Sequence, residues 1–169
     1  MSVVINGTGS ISGLSNVGGI SSAQSGSIIQ TVQGKLSTSF STTSTSAVDT
    51  GLTATITPLF STSKVLCFVT LNGIRTNNTT YNTYSYLVRN GTNIDGIGIS
   101  GSFNLYFATV QLNGRVGTVA DMILDSPATT SAVTYKIQFS VENGSSTSYL
   151  SDQNSQLTPS TIILMEVAQ

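Results

Sequence analysis

The chain has 169 residues, with 6 Lys+Arg against 7 Asp+Glu and no His. Charged residues make up 8% where about a quarter is usual, so there is no basic patch to neutralise a phosphate backbone, which argues against a nucleic-acid partner. Without His the usual general base and the commonest metal ligand are missing, and the longest apolar runs fall far short of the ~18 residues of a spanning helix.

Residues 1–27 form a Gly/Ser-rich segment with sparse aliphatics. In GSISGLSNVGGISS the apolar residues Ile11, Leu14, Val17 and Ile20 recur every third position, and the same phase reaches back to Ile5. A helix needs a period near 3.6 and a strand needs 2, so neither fits. A polyproline-II-like chain has three residues per turn and would present Ile5, Ile11, Leu14, Val17 and Ile20 as one apolar edge. Five aliphatics spread over some twenty residues bury too little to offset the ordering of the backbone. The segment is therefore expected to be an extended arm that orders only against another chain, anchored by those five residues.

From residue 28 onward the pattern is all-β, and no 3.6-period stretch of useful length occurs. Strands are expected near 28–33, 35–45, 52–58, 64–71, 81–89, 92–99, 102–113, 117–125, 132–142 and 160–168. LTATITP turns Leu52, Ala54 and Ile56 inward. KVLCFVT is a continuous apolar run, in which the lone cysteine, Cys67, reads as a buried structural thiol. YNTYSYLV is apolar on both faces, with Tyr84 and Tyr86 as candidates for a subunit contact. SFNLYFATVQLN changes phase between Phe107 and Val110, which suggests a bulge near Ala108–Thr109. AVTYKIQFSVEN shows the clearest alternation, with Val133, Tyr135, Ile137, Phe139 and Val141 on one side. In STIILMEVAQ, Ile162 and Leu164 face one way and Ile163, Met165 and Val167 the other, so both faces call for cover. Either a loop lies over the second face or another subunit meets it there.

Asn-Gly pairs at 6–7, 72–73, 90–91, 113–114 and 143–144 mark tight turns, with 90–91 the best hairpin candidate. About ten short strands with these turn signals fit a jelly-roll-like antiparallel β-sandwich, residues 28–169, preceded by the arm, residues 1–27. The carboxylates offer little chemistry. Asp121 and Asp125 share a strand face but read as solvated strand-end groups rather than a Ca²⁺ site. Glu142 and Asp152 have no spacing that would make them a glycosidase pair. Glu166 reads as a solvated strand end, or as a group facing a neighbouring copy. No Walker-type or nucleophile-elbow motif is present. The expectation is no enzyme, no cofactor and no metal. So few charges also leave little repulsion between copies, which suits a chain that assembles.

The phrase GKLSTSFSTTSTSAVDTGLTATITPLFSTSKVLCFVTLNG resembles the opening of Ser/Thr-rich β-domains of tailed-bacteriophage virion proteins. The preceding INGTGSISGLSNVGGISS resembles the short Gly/Ser arms of the same class. The resemblance implies a trimer of sandwiches on the virion exterior, made in the host cytoplasm; nothing at the N-terminus reads as a signal peptide. The expectation is a homotrimeric capsid decoration (cement) protein. Its partners would be copies of itself and the major capsid protein or another virion protein, with no nucleic acid and no membrane. The arm would anchor it, and Ile163, Met165, Val167, Tyr84 and Tyr86 would lie at subunit contacts. The alternative is a short fibre or receptor-binding tip, whose loops Ile74–Thr80 and Glu142–Thr147 would touch a host glycan.

Overall fold

The structure, a computed structural model, describes residues 25–77, 83–94, 103–105, 117–153 and 156–169. Alternating burial builds the long strands: β1 (Ile28–Leu36), β3 (Val48–Ile56), β4 (Lys64–Thr76), β5 (Thr83–Arg89), β8 (Gly117–Asp125), β9 (Val133–Val141) and β13 (Ser160–Val167). Short strands complete the set: β2 (Phe40–Thr42), β6 (Thr92–Asn93), β7 (Phe103–Leu105), β10 (Ser148–Leu150), β11 (Asp152–Gln153) and β12 (Gln156–Leu157). All pairings are antiparallel, and no helix occurs among the described residues.

One sheet runs β1-β13-β4, with β8 also pairing with β4 and with β10 and β2 continuing from the far end of β4. The second runs β3-β9-β5, with β6 and β7 each pairing with β5. The core fills the space between them. Val65, Cys67, Val69, Ile162 and Leu164 come from the first sheet; Leu52, Ile56, Tyr135, Ile137 and Phe139 come from the second. The antiparallel sandwich expected from the alternation is what forms, and the inward residues of β3 and β9 are those named from the sequence. Asn90-Gly91 closes the β5–β6 hairpin with positive φ at both residues, 46° and 88°.

Three local expectations need correction. Gly34 does not separate two strands; it sits inside β1, which runs unbroken through it. A Cβ there would fall inside the Thr53 carbonyl, so the glycine marks a close approach of β1 to β3. Asn72-Gly73 is a bulge within β4 rather than a tight turn between strands, and the register shifts between Leu71 and Ile74. The segment 151–160 explains this. Asn72 donates to Pro159 O (2.7 Å) and Ser160 Oγ (2.9 Å) and accepts from Ser151 N (2.8 Å). Ile74, expected in an exposed loop, is therefore buried in β4. The expected bulge near Ala108–Thr109 lies outside the described residues.

Cys67 is fully buried, as expected. Burial, with a smaller contribution from the charge of Asp125, pushes its thiol up from 9.0 to about 12. The buried Tyr135 phenol, which donates a hydrogen bond to Asp125, is also raised above its ordinary value, first by burial. Both groups keep protons in the folded chain that the unfolded chain releases. Stability is therefore intact below pH 9 and falls as pH climbs from there, by about 1.4 kcal/mol per unit for each fully linked proton. We expect the thermal midpoint to be flat from pH 7 to 9 and to fall above it. Cys67→Ala should delay the fall to near pH 10, measured by circular dichroism.

Candidate interaction surface

The outer face of the β1-β13-β4-β8 sheet is built from residues in the opposite phase to the core. Strand register brings them into rows. Leu66 of β4 stands between Met165 of β13 and Leu124 of β8; Phe68 stands between Ile163 and Met122. Ile28 of β1 lies opposite Val167 at the near end. Directly opposite residues of an antiparallel pair share a face, so eight apolar side chains form one patch. It is rimmed by Thr31, Gln33 and Lys64, and beyond it by the row Lys35–Thr161–Thr70–Ala120.

Exposure confirms the grouping. Ile28 is 55% exposed, Met122 54%, Leu124 52% and Phe68 36%. Ile163, Met165, Val167 and Leu66 are half-buried by these neighbours. A residue in isolation at such exposure is ordinary; a contiguous apolar face of a few hundred Å² is the kind of patch that is often functional. Four strands ~4.8 Å apart and three rows ~7 Å apart give the face, with the rim residues Thr31, Gln33 and Lys64 included, a footprint on the order of 400 Å². The two-sided pattern of the last strand pointed to this face through Ile163, Met165 and Val167. The contributions of Leu66, Phe68, Met122 and Leu124 were missed. Their signal was present: KVLCFVT and MIL are apolar in both phases too.

The other sequence-derived candidates separate from this face. Tyr84 and Tyr86 alternate with buried Thr83, Ser85 and Leu87, so they lie on the outer side of the second sheet, across the sandwich from Met165. Tyr86 Oη lies 3.1 Å from Ser140 Oγ. The five arm positions, Ile5, Ile11, Leu14, Val17 and Ile20, lie outside the described residues. The two loops proposed for glycan contact do meet: Asn77 and Thr147 exchange three hydrogen bonds of 2.6–3.2 Å.

Two carboxylates expected in solvent are instead buried and satisfied. Glu166 has no exposed surface; its Oε1 accepts from Leu59 N (2.8 Å) and Phe60 N (3.2 Å), and its Oε2 from Gln30 Nε2 (2.7 Å). Glu166 belongs to the inward phase of β13, where it ties the 57–60 loop to the first sheet; it does not face outward toward another copy. Asp125 accepts from Arg89 Nη1, 2.7 Å from both its oxygens, and from the Tyr135 hydroxyl at 2.7 Å. Arg89 and Tyr135 belong to the facing sheet, so this cluster bolts the two layers together. Its pull on Arg89 raises that guanidinium above its ordinary value. Asp125→Asn keeps an acceptor for Tyr135 but turns a donor or a neutral oxygen toward Arg89. We expect it to cost about 2 kcal/mol in urea unfolding.

Asp121 does not join Asp125. It accepts from Met122 N at 2.6 Å, and no group of three or more potential metal ligands occurs among the described residues. An apolar cleft between the sheets, lined by Val69, Leu71, Leu87 and Ile137, holds Ser85 Oγ without a hydrogen-bond partner. The outer sheet face thus offers apolar area for burial, with no charge at its centre. No protein-family model and no curated protein matches this chain.

Proposed function

We propose that the chain is a non-enzymatic structural protein of a tailed-bacteriophage virion that works as a homotrimer and decorates the capsid. The observation that carries this reading is the apolar outer face of the first sheet. A surface of this kind is stable in water when another protein surface covers it. The near-neutral chain adds little repulsion between copies. The phage assignment rests on the resemblance of the 34–73 phrase and of the Gly/Ser arm to virion β-domains. Binding stabilises whatever the protein bridges, because the bound state is favoured by mass action.

A second reading, a short fibre or receptor-binding protein, draws on the junction of Asn77 with the 142–147 loop. Amides and hydroxyls gather there beside Tyr149, whose ring is capped by Arg75 at 3.6 Å. That chemistry suits neutral sugars.

Locating the protein in whole particles by cryo-electron microscopy separates the two. Copies numbering in the hundreds on the shell support decoration; a few to tens at the tail support the fibre. Purified protein that sediments as a single chain at micromolar concentration would remove the oligomeric basis of both.

A further inference from the structure

The sheet face described above is too small to hold an assembly by itself. Its footprint, on the order of 400 Å², is about half of the ~800 Å² that each partner of a stable interface buries. Something besides a second flat face must contribute. Resting on the reading that copies of this chain assemble, we infer that the β1-β13-β4-β8 face of one copy is covered by residues 1–24 of a neighbouring copy.

The segment's origin supports this. The described chain begins at a turn, Ser25–Gly26, pinned to the last strand's end. Gly26 N–H donates to Ala168 O (2.8 Å) and Ala168 N–H donates to Ser27 O (2.9 Å). That turn sits beside the Ile28–Val167 pair, the corner of the apolar face. When two such faces approach, the arm leaving the corner of one is delivered to the edge of the other. Twenty-four residues reach up to ~80 Å, several times the ~20 Å width of the face.

Spacing and charge agree with the placement. In a three-residue repeat of ~3.1 Å per residue, successive anchors of the arm are ~9.3 Å apart. Alternate strands of a sheet are ~9.6 Å apart. An arm crossing the strands therefore seats consecutive anchors, such as Leu14 and Val17, over every second strand. Rows along the strands, ~7 Å apart, give no such match. Residues 1–34 contain no Asp, Glu, Lys or Arg, so no charged side chain is desolvated when the arm meets the apolar rows. The rim of the face offers hydroxyls and an amide at Thr31, Gln33, Thr70 and Thr161 to the Ser and Asn residues of such an arm, and the two charges on it, Lys64 and Lys35, lie at the edge.

Disulfide trapping with full-length chains tests this. The native thiol, Cys67, is buried and resists ionisation, so it stays silent. Chains carrying Leu14→Cys or Val17→Cys are mixed with chains carrying Met122→Cys, allowed to exchange subunits, and oxidised. The mixed covalent pair is expected about tenfold above the pair formed with Thr55→Cys, on the opposite sheet, because docking raises the local thiol concentration. Adding Phe68→Lys to the Met122→Cys chain should return the yield to that control. Three results overturn the inference. The mixed pair matches the control; or the bridge closes within one chain carrying both substitutions, so the arm covers its own face; or Met122→Cys chains bridge only one another, so face meets face. The last leaves the assembly reading standing. Wild-type protein that sediments as one chain ends both.

Discussion

On the proposed assembly through the first sheet, a chain carrying Met122→Lys together with Leu124→Lys is expected to fold normally and to lose self-association by at least about a hundredfold. Both side chains are more than half exposed on β8, so the folded protomer loses little when they become charged. In an assembly the same positions are buried, and two desolvated ammonium groups there cost several kcal/mol. Every ~1.4 kcal/mol is a factor of ten in the dissociation constant. Sedimentation equilibrium reads the mass, and circular dichroism confirms the fold. The proposed decoration of particles should be lost in parallel. The paired substitution Thr53→Lys with Thr55→Lys, on the exposed side of β3, should leave the mass unchanged; if it does not, adhesion is not confined to the first sheet.

Gly34→Ala is expected to remove at least about 4 kcal/mol of stability, enough to unfold many domains of this size. The added methyl has no flexible side chain to push aside. Its nearest neighbours are the Thr53 carbonyl and the Ile162 side chain, so the β3 backbone itself must retreat from β1. That opens the flank where the first and second sheets close on each other. Ile162, which the added methyl also meets, is buried without remainder. Urea denaturation of the purified variant, or its partition into the insoluble fraction, reads the effect. Gly34→Ser should behave no better, because the limit is space and not polarity.

Much of the fold was legible because alternation is a local property. Val133 through Val141 and Leu52 through Ile56 carry their inward face in their own spelling. What was illegible depended on a distant segment. Gly34 looked like a strand breaker because the sequence does not reveal that Thr53 passes over it. Asn72-Gly73 looked like a tight turn because the partners that hold it within β4, Ser151, Pro159 and Ser160, are some eighty residues away. Glu166 and Asp125 looked solvated for the same reason: their partners are Leu59, Phe60 and Gln30 in one case, and Arg89 and Tyr135 in the other. The interaction face was half legible. Ile163, Met165 and Val167 could be read from one strand. Leu66, Phe68, Met122 and Leu124 join them only once register aligns three strands. Tyr84 and Tyr86 were two-sided in the same manner, yet they ended on the other sheet, since a pattern gives a face but not which face.

The pairing of β1 with β13 ties residues 28–36 to residues made more than a hundred positions later. While a ribosome is still translating, the growing chain has β1 and β4 but no strand to put between them. The apolar outer face therefore cannot form on a nascent or prematurely terminated product, because a middle column is supplied by residues 160–167. On the proposed assembly reading, only a chain translated through that last ladder presents the whole face, so truncated products would be left out of what full-length copies build.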